Sequence, residues 1–320
     1  MAASGSPSRV RRGSVTLAGL LQAAAILTII ATALASIDTR QHLVELFSHF
    51  RLQYLVAALL LLIVFAVRRR ALFSLLLVIA VAINTSYVLP WYTGDAPATG
   101  STALKILYAN VLSSNRDHDR LLALIEREGP DIIVLQEVSG HWLAALRVLD
   151  ADYPFSRSAP REDNFGIAIW SRLPLSAAMQ IDSPPLGFPS ILAVTEVDGA
   201  EVTLVTSHPM IPVGGDNFAA RNQQLKSIEE TVAAVETPVI LIGDLNASIW
   251  DRYYRRLEDA TGLNNARRGN GILPTWPTFM PLAMIPIDHV LVSSQIGVAD
   301  IRTGSRIGSD HLPLIVTVTL

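Results

Sequence analysis

The chain is 320 residues long, half of it hydrophobic and only 17% charged, with a mean hydropathy of +0.38. Its net charge of −3 excludes a global basic field that would recruit nucleic acid. It has no cysteine, which excludes disulfides and thiolate metal sites, so any metal must sit on oxygen or imidazole ligands. A cysteine-free chain also suits an oxidising, extracytoplasmic location.

Most of the hydrophobicity lies before residue 90. Leu17 to Ile37 is a run of about twenty residues without a charge, long enough to cross a bilayer. Leu52 to Val67 and Ala71 to Leu89 are further uncharged runs, joined by Arg68-Arg69-Arg70 as a tight turn. The spacing predicts three transmembrane helices at 17–37, 52–67 and 71–89. A cleaved signal peptide ending near Ala33-Leu34-Ala35 is the alternative for the first run, and the two apolar runs that follow argue against it. Arg9, Arg11 and Arg12 precede the first span, whereas the loop from Asp38 to Arg51 is of mixed sign. The positive-inside rule then places residues 1–16 and the triple-arginine turn in the cytoplasm. Three spans from that start leave the rest of the chain outside the cell membrane. Residues 90–101, rich in Pro, Gly, Thr and Ala, read as a short linker.

From residue 102 to 320 apolar runs alternate with helical patterns. Strands are expected at Leu104–Tyr108, Asp131–Leu135, Gly166–Trp170, Val202–Thr206, Val239–Ile242, Ile287–Val292 and Leu312–Thr319. Helices are expected at Asp119–Arg127, Phe218–Val235 and around Asp251–Leu257. The pattern predicts a layered α/β sandwich.

Polar residues stand at the ends of those strands: Asn110, Glu137, His208, Asp244, Asn246, Asp288, Asp310 and His311. Ionisable groups at the ends of buried strands are costly unless they serve a purpose. A sheet brings its strand ends to one edge, so these residues are expected to share a cleft. Carboxylate and amide oxygens suit a hard divalent cation, Mg²⁺ or Mn²⁺. A base would take a proton from water, and donors would meet charge on phosphoryl oxygens. Glu137 is the leading metal ligand, with Asn110 as a direct or supporting oxygen. Asp244 and Asn246 flank Leu245, a spacing that either points both side chains one way or forms an Asx turn. His311 beside Asp310 suggests an imidazole near metal or phosphate, which Asp288 would orient. His208, Asn164 and Arg221 are candidate phosphate contacts, and His289 reads as packed or surface, not catalytic.

The segment from about 104 to 320 resembles the endonuclease/exonuclease/phosphatase superfamily. The resemblance rests on Tyr108-Ala109-Asn110, Leu135-Gln136-Glu137, Asn164-Phe165-Gly166, Trp170-Ser171-Arg172, Ser207-His208-Pro209, Gly243-Asp244-Leu245-Asn246, Ile287-Asp288-His289-Val290 and Ser309-Asp310-His311-Leu312-Pro313, in that order. It implies a four-layer α/β/β/α sandwich and Mg²⁺-dependent phosphoester hydrolysis. It implies Glu137, Asn110 and Asp310 at the metal, with Asp244, Asn246, His208, His311 and Asp288 in catalysis. The proton acceptor is either Asp244 or His311. Many members carry a Tyr or His between the Glu and His motifs, where Asn164-Phe165-Gly166 offers no ionisable group. With its three spans, the whole chain resembles the bacterial membrane-bound branch that includes VanJ-type proteins linked to teicoplanin resistance.

That resemblance implies a lipid-linked phosphate substrate such as undecaprenyl pyrophosphate at the outer face of the membrane. The apolar stretches Thr275–Ile287 and Met210–Val213 flank catalytic motifs and read either as buried loops or as a rim for lipid. A nuclease would use a basic groove, for which Arg252, Arg255, Arg256, Arg267 and Arg268 are candidates, although a solvated helix face and turn explain them as well. A phospholipase C-type phosphodiesterase and a non-catalytic, membrane-tethered binding module are the remaining alternatives. The bilayer is the expected partner, and no obligate protein partner is evident.

Overall fold

The computed structural model describes residues 16–93 and 102–320. The expected cytoplasmic segment, apart from Thr16, and residues 94–101 of the expected linker lie outside the described residues.

Three apolar helical stretches come first. Helix α1 spans Leu17–Ala35 and is capped by Thr16, whose Oγ1 accepts from Gly19 N at 3.1 Å. Helix α2 (His42–Glu45), a 3₁₀ turn (Leu46–Phe50) and α3 (Arg51–Val67) follow one another without a break. Helix α4 is Ala71–Val88. The stretches Leu17–Ala35, His42–Val67 and Ala71–Val88 are long and apolar enough to cross a membrane. The second helical stretch begins ten residues earlier than the apolar run, at His42 instead of Leu52. The reason is that the polar segment before Leu52 continues the helix through the 3₁₀ turn. Polar groups tie the bundle together: Asn84 Nδ2 donates to Thr32 Oγ1 at 2.9 Å. The Arg51 guanidinium donates to Ala35 O and Ser36 Oγ and lies 3.9 Å from the Tyr87 ring centre.

The first residues of the expected linker form a short helix, α5 (Pro90–Thr93), with Trp91 buried. The strands beyond are β1 (Ala103–Asn110), β2 (Ile132–Gln136), β3 (Phe155–Ala159), β4 (Ile167–Ser171), β5 (Leu175–Ser183) and β6 (Phe188–Val197). They continue with β7 (Ala200–Ser207), β8 (Val239–Asp244), β9 (Asn264–Asn265), β10 (Asp288–Val292), β11 (Gly297–Thr303) and β12 (Leu314–Thr319). The helices among them are α6 (His118–Glu128), α7 (Gly140–Ala145), α8 (Gly215–Ala233) and α9 (Arg252–Thr261). One sheet has the order β11-β12-β1-β2-β4-β3 and the other β5-β6-β7-β8-β10-β9.

Period-2 alternation sorts the side chains into layers. Ile106, Val134 and Ile169 of the first sheet meet Ile191, Leu204, Ile242 and Val290 of the second in one core. Leu107, Ile133 and Leu135 face the other way, against Leu121, Leu124 and Ile125 of α6 and Trp142 of α7. Val205, Leu241 and Leu291 pack under Leu225, Ile228 and Val232 of α8 and Tyr254 and Leu257 of α9. The result is the expected α/β/β/α sandwich. The strands not anticipated are β3, β5, β6, β9 and β11.

The helical front packs on the sandwich through a continuous apolar core. Val88 and Trp91 belong to the same buried cluster as Ile249, Trp250 and Leu291. Trp250 Nε1 donates to Tyr87 O at 3.0 Å, Gly271 N to Trp91 O at 2.8 Å, and Gln53 Nε2 to Met284 O at 2.8 Å. Trp250 is 4% exposed, so Trp250→Ala empties a core position at this junction. The expected loss is about 3–5 kcal/mol. Hydrogen exchange should show protection lost in residues 84–93; unchanged protection there would contradict this account of the junction.

Candidate active site

Strand register brings the polar strand ends together. Asn110 at the end of β1 pairs with Gln136 at the end of β2. Asp244, ending β8, pairs with Asp288, beginning β10. Two of the turns that follow use left-handed backbone: Glu137 at φ 60° and Asn246 at φ 49°. That region costs a non-glycine residue of order 1–3 kcal/mol and persists where surrounding contacts enforce it. Glu137 Oε1 accepts from Asn110 Nδ2 at 3.0 Å, and its Oε2 accepts from Ser113 N at 3.1 Å. Asn246 N donates to Asp244 Oδ1 at 2.9 Å, and Asn246 Nδ2 donates to Pro209 O at 3.0 Å. The Asp-Leu-Asn motif is thus an Asx turn that also presents both polar residues to the cleft, while Leu245 points into the core.

Asp244 Oδ2 is the meeting point. His208 Nε2 lies 3.5 Å from it, His311 Nε2 3.7 Å and Asn110 Nδ2 3.4 Å. His311 Nδ1 lies 2.9 Å from Asp288 Oδ2, while the Tyr108 hydroxyl lies 2.8 Å from Asp288 Oδ1. Burial alone lowers the His311 pKa, but the Asp288 charge and hydrogen bond overcome it and carry the ring up to about 10. Burial works against the Asp288 carboxylate as well, and His311 prevails and holds it down at about 2. The pair is therefore an imidazolium–carboxylate pair at neutral pH. His208 is also raised: burial opposes its charge, and the hydrogen bond and charge of Asp244, with that of Glu137, outweigh it.

Asp244, His208 and His311 line one cavity of about 420 Å³, with Asp288, Tyr108 and Asn110 behind them. Glu137, Asn164, His208, Asp244, Asn246, Asp310 and His311 supply the polar side. Ile211, Val213 and Ile285 supply an apolar side, and Leu43 and Leu46 from the front of the chain complete it. Among the described residues that line it there is no Lys or Arg.

Two expected residues, Arg221 and Asn110, sit differently from the sequence reading. Arg221 was expected at phosphate; it is fully buried, pairs with Asp251 Oδ2 at 2.8 Å and donates to Asn246 O at 3.0 Å. It holds the main chain of the Asn246 turn from behind, because Asp251 draws its charge inward. Asn110, expected as a metal ligand, turns Nδ2 toward the carboxylates, and its Oδ1 accepts from Leu112 N at 3.1 Å. The amide thus supports Glu137 as a donor. Asp310 gives Oδ2 to Trp276 Nε1 at 3.0 Å, while its Oδ1 is buried without a partner. Asn164 lines the cavity, and its Oδ1 accepts from Ser113 Oγ at 2.6 Å. Phe165 stacks on Phe188 at 3.6 Å and tilts against His208 at 5.3 Å.

Other residues of the site had no assigned role. Gln136 bridges the sheets: its Oε1 accepts from Asp244 N at 2.8 Å and its Nε2 donates to Ser207 O at 2.8 Å. Gly243 makes this possible, since a Cβ there would stand 2.6 Å from Gln136 Nε2 and 2.4 Å from Ser207 O. Period-2 alternation in β1 and β2 already turns Tyr108 and Gln136 inward, so that signal was available. Arg267, grouped in sequence with the surface arginines, is fully buried and donates to Asp288 O. Burial lowers its pKa to about 10. No periodicity signalled it.

The donor set fits a hard divalent cation. Each Glu137 oxygen has accepted one hydrogen bond and retains a lone pair, and Asp310 Oδ1 has no partner. Asp244, Asp288 and His311 also offer ligand atoms within 4.8 Å of one another. Both Asp288 oxygens are engaged by Tyr108 and His311, so that trio is better suited to proton handling. Carboxylates at Glu137, Asp244 and Asp310, without Lys or Arg beside them, would repel a phosphate unless a cation neutralised them.

A two-sheet sandwich with carboxylates, amides and imidazoles at one strand-end edge defines a metal-dependent phosphoester hydrolase. The chain belongs to the Endonuclease/Exonuclease/phosphatase family, whose profile matches residues 107–311. No curated protein sequence matches it. Among solved structures it is similar to D. rerio TDP2 complexed with single strand DNA product, at 19% identity and TM-score 0.59, covering 69% of this chain and 100% of that one. It is similar to the human Nocturnin catalytic domain with bound sulfate anion, at 17% identity and TM-score 0.56, covering 72% and 98%. It is also similar to an endonuclease/exonuclease/phosphatase from Beutenbergia cavernae, at 20% identity and TM-score 0.57, covering 69% and 72%. At these identities the likeness is one of fold.

His289, expected to be packed or on the surface, is buried, with Nε2 2.7 Å from Ala247 O. Burial and the Arg267 charge depress its pKa from 6.5 to about 3. A histidine depressed on folding contributes stability that is present above the unfolded value. That stability is lost as pH falls from 6.5 toward 3, because the unfolded chain binds the extra proton. The contribution is about 1.4 kcal/mol per pH unit across that window. Thermal unfolding in detergent should therefore depend less steeply on pH between 6.5 and 4 in His289→Gln than in wild type. Equal slopes would contradict the buried neutral imidazole.

Proposed function

We propose that the chain is a membrane-anchored, divalent-metal-dependent hydrolase acting on a lipid-linked phosphoester or phosphoanhydride, such as undecaprenyl pyrophosphate. The observation that carries this is the two-sided cavity: hydrolytic groups on one side, and Ile211, Val213 and Ile285 on the other. The loop before β10 supports it. Its ends, Thr275 and Ile287, are buried, while Phe279, Met280 and Leu282 at its tip are exposed. Met284 O accepts from Gln53 in α3, which sets that apolar tip beside a span.

Glu137 and Asp310 would hold Mg²⁺ or Mn²⁺, with Asn110 supporting Glu137. The bound cation supplies neutralisation of phosphoryl oxygens. Asp244 accepts the proton of the attacking water, since Asp288 keeps His311 protonated. His311 Nε2 and His208 donate to oxygens that gain charge as the bond to the leaving group breaks. Asn246 and Asn164 position the phosphate. Asp288 and Tyr108 orient His311, and Arg221 orients the Asn246 turn.

DNA is the competing substrate, given the complex of D. rerio TDP2 with single strand DNA product. Four of the five arginines that would form a basic groove are committed elsewhere. Arg252 pairs with Asp38, Arg256 with Glu229 and Arg268 with Glu258, and Arg267 is buried. The VanJ-type reading is supported by the three apolar stretches, and an outer-face location for the sandwich by the positive-inside pattern of the sequence.

Detergent-solubilised wild type should release phosphate from undecaprenyl pyrophosphate only with Mg²⁺ or Mn²⁺. Glu137→Gln and His311→Ala should each lose at least about a hundredfold in rate while still inserting and folding. Activity retained in both variants would sink the residue assignment. Release from DNA or phospholipid alone would move the substrate to the nuclease or phospholipase C-type reading. A reporter fused after Leu320 should read extracytoplasmic; a cytoplasmic reading would remove the case for an outer-face substrate.

A further inference from the structure

The family match begins at residue 107, yet one wall of the cavity comes from the segment before the second span. His42, Leu43, Leu46 and His49 line the same cavity as Glu137, Asp244 and His311. Leu43 is 65% and Leu46 39% exposed; across the cavity Ile211 is 40% and Val213 73% exposed. Four large apolar side chains, all exposed in part, thus line the cavity that also holds the hydrolytic groups.

The segment is fixed in place by buried polar contacts. Glu45 Oε1 accepts from Ser48 Oγ at 3.0 Å, and Glu45 Oε2 lies 3.3 Å from His49 Nε2. His49 Nδ1 lies 2.8 Å from Ser248 Oγ, two residues beyond Asn246. Glu45, His49 and Asp251 offer atoms within 4.8 Å of one another, and Arg221, bonded to Asp251, supplies the compensating charge. His42 packs against Phe218 of α8 with ring centres 6.1 Å apart. The segment then runs directly into α3.

We infer that the His42–Phe50 segment is a substrate-binding wall added to the family's catalytic sandwich, and that Leu43 and Leu46, facing Ile211 and Val213, hold the first part of a substrate's hydrocarbon tail. This rests on the lipid-linked reading above. The occupant follows from continuity: the cavity lined by Glu137, Asp244 and His311 is lined also by Leu43 and Leu46, and the segment that carries them runs directly into the apolar helix α3. A tail attached to a phosphate at His311 meets that wall, whereas a tail-less ester does not use it.

The test compares full-length protein in detergent micelles on two substrates, undecaprenyl pyrophosphate and p-nitrophenyl phosphate, with Mg²⁺. For Leu43→Ser/Leu46→Ser, the ratio of kcat/KM on the lipid to kcat/KM on the tail-less ester should fall about tenfold, mainly through KM. Leu43→Met/Leu46→Met, which keeps apolar bulk, should restore the wild-type ratio. A ratio unmoved in the serine variant, with wild type active on the lipid, overturns this inference alone. Equal loss on both substrates also overturns it, since that marks a general structural role. Wild type active on the tail-less ester and inert toward every lipid phosphate overturns both this inference and the lipid-linked reading.

Discussion

The site depends on one side chain that crosses between the two sheets. Gln136 is fully buried, and its amide is engaged on strands of both sheets: Tyr108 on β1, Thr206 and Ser207 on β7, and Asp244 on β8. In a dry interface each such group left unpaired would cost about 1–3 kcal/mol. The sheets therefore meet at one separation and one register at this edge. Glu137 is the next residue, and Asp244 is the residue bonded to Gln136. The spacing between Glu137 and Asp244 is thereby set by the inter-sheet contact. Gly243 is part of the same constraint, because only a residue without Cβ lets β7, β8 and Gln136 approach so closely.

Two buried arginines extend this rigidity outward. Arg221 donates to the carbonyl of Asn246 and Arg267 to the carbonyl of Asp288. Each keeps two guanidinium nitrogens without partners, Nε and Nη2 on Arg221 and Nε and Nη1 on Arg267. Buried charge with unmet donors is expensive, so neither arginine is the cheapest way to fill its space. Their common feature is the backbone they hold. Asn246 is in a left-handed conformation, and Asp288 must meet His311 and Tyr108 together. Stability is given up behind the site to hold strained or charged groups in front of it.

The sandwich was legible because its strands are apolar runs closed by motif residues. Val239–Asp244 and Ile132–Gln136 lie within one or two residues of their expected bounds. The strands β5 and β6 were not legible. Leu175–Ser183 is largely half-exposed and mixes Ser, Gln and Asp with its apolar residues, so it lacks the contrast of a buried strand. The strand-end set was legible as a group, since an apolar strand does not end in Glu, Asp or His without reason. What each member touches was not. In sequence Arg221 reads as a phosphate contact and Arg267 as a surface residue, and only the tertiary path of α8 and of the turn after β9 buries them. The wall at His42–Phe50 was hidden for another reason. Its polar residues read as a loop between spans, and sequence distance conceals that Ser248 lies against His49.

The charge of the cavity bears on where binding energy must come from. A nucleic-acid enzyme gains much of its affinity from Lys and Arg along the phosphate backbone. This cavity offers carboxylates and imidazoles and, among the described residues that line it, no Lys or Arg, so its positive charge comes from His311 and from any cation held there. That is enough to hold one phosphoryl group at the point of reaction, and little remains for the rest of a ligand. The remaining contact surface is apolar: Ile211, Val213 and Ile285 from the sandwich, Leu43 and Leu46 from the helical front. Burying a single methylene contributes about 0.8 kcal/mol, so a few carbons of tail match what an arginine contact would otherwise supply. On the proposed reading, recognition is divided between a polar end that reacts and an apolar end that selects. The continuous core at Val88, Trp91 and Trp250 keeps the two ends in one rigid frame.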